Sequence, residues 1–140
     1  MAEATGVLRV DVVSPERVLF TGEAKQVITR TIDGGEVAFL PGHAAFLGAL
    51  VENHTRIYLA DGSIKNLAVH LGFVEVGTVH VTILSDAAEL EEDIDVARAR
   101  AAKERAEEQL RKEHTAEVES DLRRAHARLS AAGGLGAAGH

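Results

Sequence analysis

The sequence predicts an N-terminal antiparallel β-sandwich of about ten short strands, followed by two α-helices that form an antiparallel hairpin. Three observations lead to this prediction. All four Phe, the single Tyr and both Pro lie before Val79, together with nine of the thirteen Gly. Between Thr78 and Ala132 there is neither Gly nor Pro, and after Ala87 most residues are Ala, Glu and Arg, which favour helix. The first part instead combines β-branched residues with frequent turn signals, which favours strands.

The first part is divided into short strands by turn residues and by a period of two. Leu8, Val10 and Val12 alternate with Arg9 and Asp11, which is typical of a strand with one buried face. Ser-Pro, Pro-Gly and Asp-Gly turns separate the later segments, and many short strands at close spacing favour an antiparallel sandwich or barrel. Further strands are predicted at residues 18–20, 27–31, 57–59, 64–69, 73–76 and 79–83, with a turn at Gly22.

The second part carries two apolar stripes with helical spacing. Asp93 is the predicted cap of the first helix, and Asp95 favours the positive end of its dipole. Thr115 is placed to cap a second helix, so we expect a turn near His114. Because no Gly or Pro interrupts this segment, one continuous helix is the alternative. The stripes are thin: Ala99, Ala102, Ala106 and Leu110 on the first helix, and Val118, Leu122, Ala125 and Leu129 on the second.

These patterns divide the chain into three regions. Residues 1–86 form the predicted sandwich and residues 87–131 the predicted helical hairpin. The Gly/Ala-rich residues 132–140 are expected to be a disordered tail. About 85 residues are enough for the sandwich to have a core of its own.

Composition argues against several classes of function. The chain has 140 residues, no Cys and a formal net charge of −7. Without Cys there is neither a disulfide nor a thiolate metal site, and the negative charge argues against nucleic-acid binding. No segment approaches the ~20 apolar residues of a membrane span, and no export signal is found. We therefore expect a cytoplasmic protein that meets the membrane only through another protein.

One segment is more informative than composition. Residues 34–47 read GGEVAFLPGHAAFL, a short apolar strand that ends in a Pro-Gly turn. The segment resembles the GE-[IVL]-G-[IF]-L-PGHAPL motif of the epsilon subunit of F-type ATP synthases, with Ala38 where that family usually has Gly. A second match follows at residues 70–76, HLGFVEV, which resembles the family's GGF-[VL]-EV strand. There His70 and Leu71 replace small residues.

A third match opens the helical region. Residues 94–99, IDVARA, resemble the I/L-D-x-x-R-A motif by which some bacterial epsilon subunits bind ATP. The resemblance implies that Ile94 meets the adenine, that Asp95 meets either the base edge or the helix terminus, and that Arg98 meets the phosphates. Guanidinium groups suit this task because they pair with phosphate oxygens through two bonds at once. The ATP-binding residues implied by the resemblance are Glu89, Ile94, Asp95, Arg98, Ala99, Arg105, Arg124 and Arg128.

The resemblance also implies a function. The chain would be a non-catalytic central-stalk subunit that joins the gamma subunit to the c-subunit ring, with Glu36 and His43 at the ring contact. The hairpin would leave the enzyme free when folded and, when extended, reach the alpha and beta subunits and block ATP hydrolysis. A continuous helix over residues 94–131 would span roughly 57 Å at 1.5 Å per residue. ATP would be a regulatory ligand rather than a cofactor, and the complex would hold the chain at the cytoplasmic face of the cell membrane.

Two alternatives belong to other classes of protein. The arginines are explained equally well as a solvated helix face balanced by Glu104, Glu107 and Glu108, which would make the chain a purely structural rotor subunit without nucleotide binding. Seven His in a small sandwich suggest a metal-dependent enzyme. The usual H-x-H ligand pair is absent, however, so we expect neither a metal site nor catalytic residues.

Overall fold

A computed structural model of the chain describes residues 6–133. Nine strands precede two helices, and a short 3₁₀ helix, Glu91–Asp93, connects the two parts. The predicted class, a β-sandwich followed by a helical hairpin, is confirmed. The strands are β1 Leu8–Val13, β2 Val18–Thr31, β3 Gly35–Phe39, β4 Phe46–Leu50, β5 Asn53–Leu59, β6 Ile64–Val69, β7 Gly72–Val76, β8 His80–Ser85 and β9 Ala88–Leu90; the helices are α1 Val96–Lys112 and α2 Ala116–Ala131.

The long strand β2 links the two layers of the sandwich. Its first half pairs with β1, which continues through β8 and β7 to β4. Its second half lies between β3 and β5, and β5 continues through β6 to β9. All these pairings are antiparallel except the parallel pair β1–β8. The core between the layers is aliphatic apart from Phe39 and includes Leu8, Val10 and Ile83.

Three predicted details of the sandwich are wrong. Gly22 is not a turn: it pairs with Val10 inside β2, so the predicted strands 18–20 and 27–31 are one strand. A Cβ at Gly22 would lie only 3.0 Å from the Phe20 ring, so here Gly makes room for an aromatic side chain. The antiparallel prediction also missed the parallel β1–β8 pair. Finally, the prediction places Ala88–Leu90 in the helical region, whereas these residues pair with β6 and extend the sheet.

The predicted hairpin of two helices is present, rather than one continuous helix. Thr115 caps α2 as predicted, because its side chain accepts a hydrogen bond from the Val118 backbone N–H. The cap of α1 is Asp95 rather than Asp93, which lies in the 3₁₀ helix. Neither helix is long and apolar enough to cross a membrane, as far as residues 6–133 are concerned.

The helix α2 has two buried faces. Ala125 and Leu129 of the predicted stripe are buried, as are Ala99 and Ala106 on α1, which packs along α2. A second face, which the stripe did not predict, buries Ala127 and Ala131 against Ala68 of β6 and Ile94. Therefore α2 is packed between α1 and the sandwich. Of the predicted tail, Ala132 and Gly133 close the end of α2, and residues 134–140 lie outside the described residues.

Candidate functional site

The predicted ATP-binding residues are distributed over β9, the start and middle of α1, and α2. Glu89 on β9 accepts hydrogen bonds from two sides: from Arg128 Nε of α2 at 2.6 Å and from His70 Nε2 at 3.2 Å. The hydrogen bond from His70, with the further bond and charge of Arg128, outweighs burial and lowers the pKa of the Glu89 carboxyl to about 2. Arg128 is thus already paired with a carboxylate in the folded chain.

The start of α1 holds four of the predicted residues. Asp95 Oδ1 accepts a hydrogen bond from the Arg98 backbone N–H at 3.0 Å, so the Asp95 carboxylate caps the helix. Ile94 and Ala99 are buried and help to seat the helix. The Arg98 side chain is exposed and therefore free to meet an anion from solvent.

The remaining two arginines differ in their surroundings. Arg124 of α2 donates to Ser120 Oγ at 2.9 Å and forms an ion pair with Asp121 one turn away. Arg105 of α1 is exposed, and within residues 6–133 neither Arg105 nor Arg98 takes part in an ion pair. Two of the four arginines are therefore available, and two would have to leave a carboxylate to reach a triphosphate.

The two predicted ring-contact residues lie at opposite ends of β3. Glu36, near the turn from β2, forms an ion pair with Arg56 Nη2 at 2.7 Å. His43 follows the far end of the strand, where its Nδ1–H donates to the Ala44 carbonyl at 2.7 Å. Its ring lies edge-on against Phe39, with 5.0 Å between the ring centroids.

The contacts that join α2 to Glu52, just before β5, were not predicted from the sequence. Glu52, just before β5, is buried and accepts hydrogen bonds from Ser120 Oγ and Arg123 Nε. Burial raises the pKa of its carboxyl, but the bonds from Ser120, its own backbone N–H and Arg123 together lower it. No local pattern could have identified these partners, because about 70 residues separate them along the chain.

A row of apolar side chains, three of them exposed and two half-buried, crosses the other layer of the sandwich. Ala49, Phe73, Leu84, Val13 and Val18 are successive register partners across β4, β7, β8, β1 and β2. Phe73 is 54% exposed, Leu84 43% and Val18 61%. Such a contiguous exposed patch is typical of a surface that binds another protein. This set is referred to below as the apolar row.

A two-layer sandwich with an apolar row and a docked helical hairpin is the architecture of a small protein that binds other proteins, and comparison with known proteins specifies its family. A family model described as "ATP synthase, Delta/Epsilon chain, beta-sandwich domain" matches residues 7–91. A second, "ATP synthase, Delta/Epsilon chain, long alpha-helix domain", matches residues 92–133. The chain therefore belongs to the delta/epsilon chain family of ATP synthases, which confirms the resemblance seen in the motifs.

Individual relatives agree with this assignment over nearly their whole length. A protein of Shouchella clausii named ATP synthase epsilon chain is 38% identical over 132 residues, covering 93% of this chain and 98% of the relative. The ATP synthase epsilon chain of Halalkalibacterium halodurans is 43% identical, covering 90% of this chain and 97% of the relative. The fold is also similar to a chain of the Euglena gracilis mitochondrial ATP synthase, with a TM-score of 0.68, 21% identity and coverage of 96% of this chain and 82% of that one.

Proposed function

We propose that this chain is the central-stalk subunit of an F-type proton-translocating ATP synthase and transmits c-ring rotation to the catalytic head. The proposal rests on the family membership, and the observation that carries it is the apolar row. An exposed side chain such as Phe73 leaves apolar surface in contact with water, which is unfavourable. A partner protein that binds there buries this surface. The gamma subunit is the partner proposed for this face.

The apolar row gives a direct test. Changing Phe73→Glu places a charge in the proposed interface, where it would be buried without a partner, so binding to gamma should weaken at least about tenfold. Because Phe73 is exposed in the isolated chain, the fold should not change. Co-purification of the tagged chain with gamma from a membrane extract measures the effect. Ile64→Glu is the matched control, since Ile64 is 48% exposed but lies outside the row.

We further propose that the Glu36 end of β3 faces the c-subunit ring. The exposed Glu36–Arg56 ion pair supports this, because a charged pair at a surface can exchange partners with charges on a neighbouring subunit at little cost. A Cys in place of Glu36 should cross-link to a Cys in a polar loop of the c subunit. A Cys in place of Thr82, in the middle of β8, should not, and equal yields would remove the assignment.

The hairpin is the proposed regulatory part. Folded onto the sandwich it leaves ATP hydrolysis free, and extended it reaches the alpha and beta subunits and inhibits. ATP is proposed to bind at Arg98, Arg105, Arg124 and Arg128 with Glu89, Ile94, Asp95 and Ala99, and to favour the folded form. Arg98 supports this part of the proposal, because it is exposed and takes part in no ion pair within residues 6–133. Held by its partners, the chain would lie peripherally at the cytoplasmic face of the membrane.

A second candidate is a structural rotor subunit that binds no nucleotide. The observation in its favour is that Arg124 and Arg128 are already paired with Asp121 and Glu89. A triphosphate would have to compete with both carboxylates for these arginines. The two candidates differ in one measurable property: in the second, the isolated chain does not bind ATP.

A further inference from the structure

Glu52 is a buried carboxylate that the proposed nucleotide site does not use. It lies between β4 and β5, and its side chain is only 3% exposed. Its Oε2 accepts a hydrogen bond from Ser120 Oγ at 2.8 Å, and its Oε1 accepts one from Arg123 Nε at 3.0 Å. Both of these side chains belong to α2, so the helix supplies the side-chain partners that a buried carboxylate needs.

A second contact joins the neighbouring strand β5 to the other end of α2. His54 of β5 lies between two polar groups, with its Nε2 2.7 Å from Asn66 Oδ1 and its Nδ1 2.8 Å from Ser130 Oγ. Because the amide oxygen can only accept, Nε2–H donates to Asn66, and Nδ1 accepts from the Ser130 hydroxyl. The polar contacts with Glu52 and His54 therefore hold α2 in its second turn and in its last turn.

These contacts share no residue with the proposed nucleotide site, although the two meet at one hydrogen bond, from Arg124 Nη1 to Ser120 Oγ at 2.9 Å. Arg128 and Glu89 meet on the flank of α2 that faces β9, whereas Arg123 and Ser130 point to the flank that faces β5. When α2 leaves the sandwich, Glu52 becomes accessible to water, so the separated state is not left with an unpaired buried charge. The contact can therefore form and break reversibly, because neither the docked nor the separated hairpin leaves Glu52 buried without a partner.

We propose that Glu52 with Ser120 and Arg123, and His54 with Ser130, form a latch that keeps the hairpin folded in the absence of nucleotide. The meaning of this latch for regulation rests on the proposed mobility of the hairpin. When the latch contacts are formed, the hairpin is already folded before ATP binds to it. The latch, rather than the nucleotide site, then determines how readily the hairpin is released when ATP is scarce.

The test measures docking in the isolated full chain without nucleotide. The chain has no Cys, so spin labels at Glu16→Cys and Glu117→Cys report one distance, from an exposed turn of the sandwich to the start of α2. The unmodified chain should give one narrow distance distribution. Glu52→Gln loses the charge-assisted bond from Arg123, and the ratio of undocked to docked chains should rise about tenfold or more.

Two further variants keep the test decisive. Arg123→Gln breaks the same contact from the exposed side of α2, where it cannot disturb the sandwich core, and should give the same release. Glu23→Gln, an exposed carboxylate on β2, should leave the distance unchanged. If Glu52→Gln and Arg123→Gln both match the unmodified chain, the latch is wrong.

Adding Mg-ATP to the Glu52→Gln chain separates this inference from the proposed nucleotide site. Recovery of the docked distance supports both the latch and ATP binding to the folded hairpin. Release without nucleotide that ATP does not reverse supports the latch and contradicts the nucleotide site.

Discussion

Glu89 shows how a single residue joins three elements of the fold. Its carboxylate, on the short strand β9, receives Arg128 from α2 and His70 from the loop between β6 and β7. His70 is 3% exposed, and its Nδ1 has no hydrogen-bond partner among the described residues. His70 departs from the GGF-[VL]-EV motif that this segment resembles, so the motif alone does not account for its hydrogen bond to Glu89.

The lowered pKa of Glu89 predicts how stability depends on pH. The folded-state pKa of about 2 lies below the ordinary 4.5, so the stabilisation is complete above pH 4.5 and is lost as the pH falls toward 2. The shift corresponds to roughly 3 kcal/mol, which partial exposure of the pair reduces to about 2 kcal/mol. Glu89→Gln should therefore lower the free energy of unfolding by about that amount at pH 7.

Urea unfolding between pH 7 and pH 3 measures this effect. The difference between Glu89→Gln and the unmodified chain should shrink as the pH falls below 4.5. Glu16→Gln, an exposed carboxylate in the turn before β2, is the control and should show almost no difference at any pH. A difference for Glu89→Gln that stays constant over the whole range would contradict this account of Glu89.

At the scale of elements, the sequence predicted what local patterns encode. The Thr115 cap, the helical stripe with Ala125 and Leu129, and most strands follow from spacing and capping residues close together along the chain. The single strand through Gly22 and the strand β9 could not be predicted. The first depends on the ring of Phe20, and the second is three residues whose strand character comes only from pairing with β6.

The contacts of the candidate site likewise include some that a local motif predicts and others that depend on the fold. Arg98 and Asp95 lie next to each other because a motif of six residues contains both. Contacts across the fold, such as Arg128 with Glu89 or Arg123 with Glu52, depend on how α2 lies against the sandwich. That placement comes from Ala127 and Ala131, two small residues on a face that the apolar stripe did not include.

The proposed ATP site predicts that substitutions of arginines on different faces of the two helices have different effects on the affinity for ATP. Arg98→Ala on α1 and Arg128→Ala on α2 should each weaken ATP binding about tenfold or more, because each removes a charge-assisted phosphate contact. Arg100→Ala is the matched control, since Arg100 is exposed but points to the opposite side of α1 from Arg98. Calorimetric titration of the isolated chain measures all three. Equal affinities for the three variants would remove the site from these helices.

At the scale of the whole molecule, the two layers of the sandwich and the connection to the hairpin have separate proposed roles. The apolar row on one layer is the proposed seat of gamma, and the other layer carries α2. The connection at Glu91–Asp93 joins the sheet to the hairpin, and it is the segment about which the proposed movement of the hairpin would take place. The buried area that holds the hairpin is mostly Ala, which buries little surface per residue, so modest free energies decide its position.

The central claim is that the hairpin restrains ATP hydrolysis while the sandwich only couples rotation. The most direct test is the rate of ATP hydrolysis, at low ATP, of the assembled enzyme carrying a chain that ends after Asp93. The truncated chain keeps every strand of the sandwich, so coupling should persist and hydrolysis should rise above that of the enzyme with the full chain. An unchanged rate, with the truncated chain still incorporated at full occupancy, would contradict the claim and leave a structural rotor subunit.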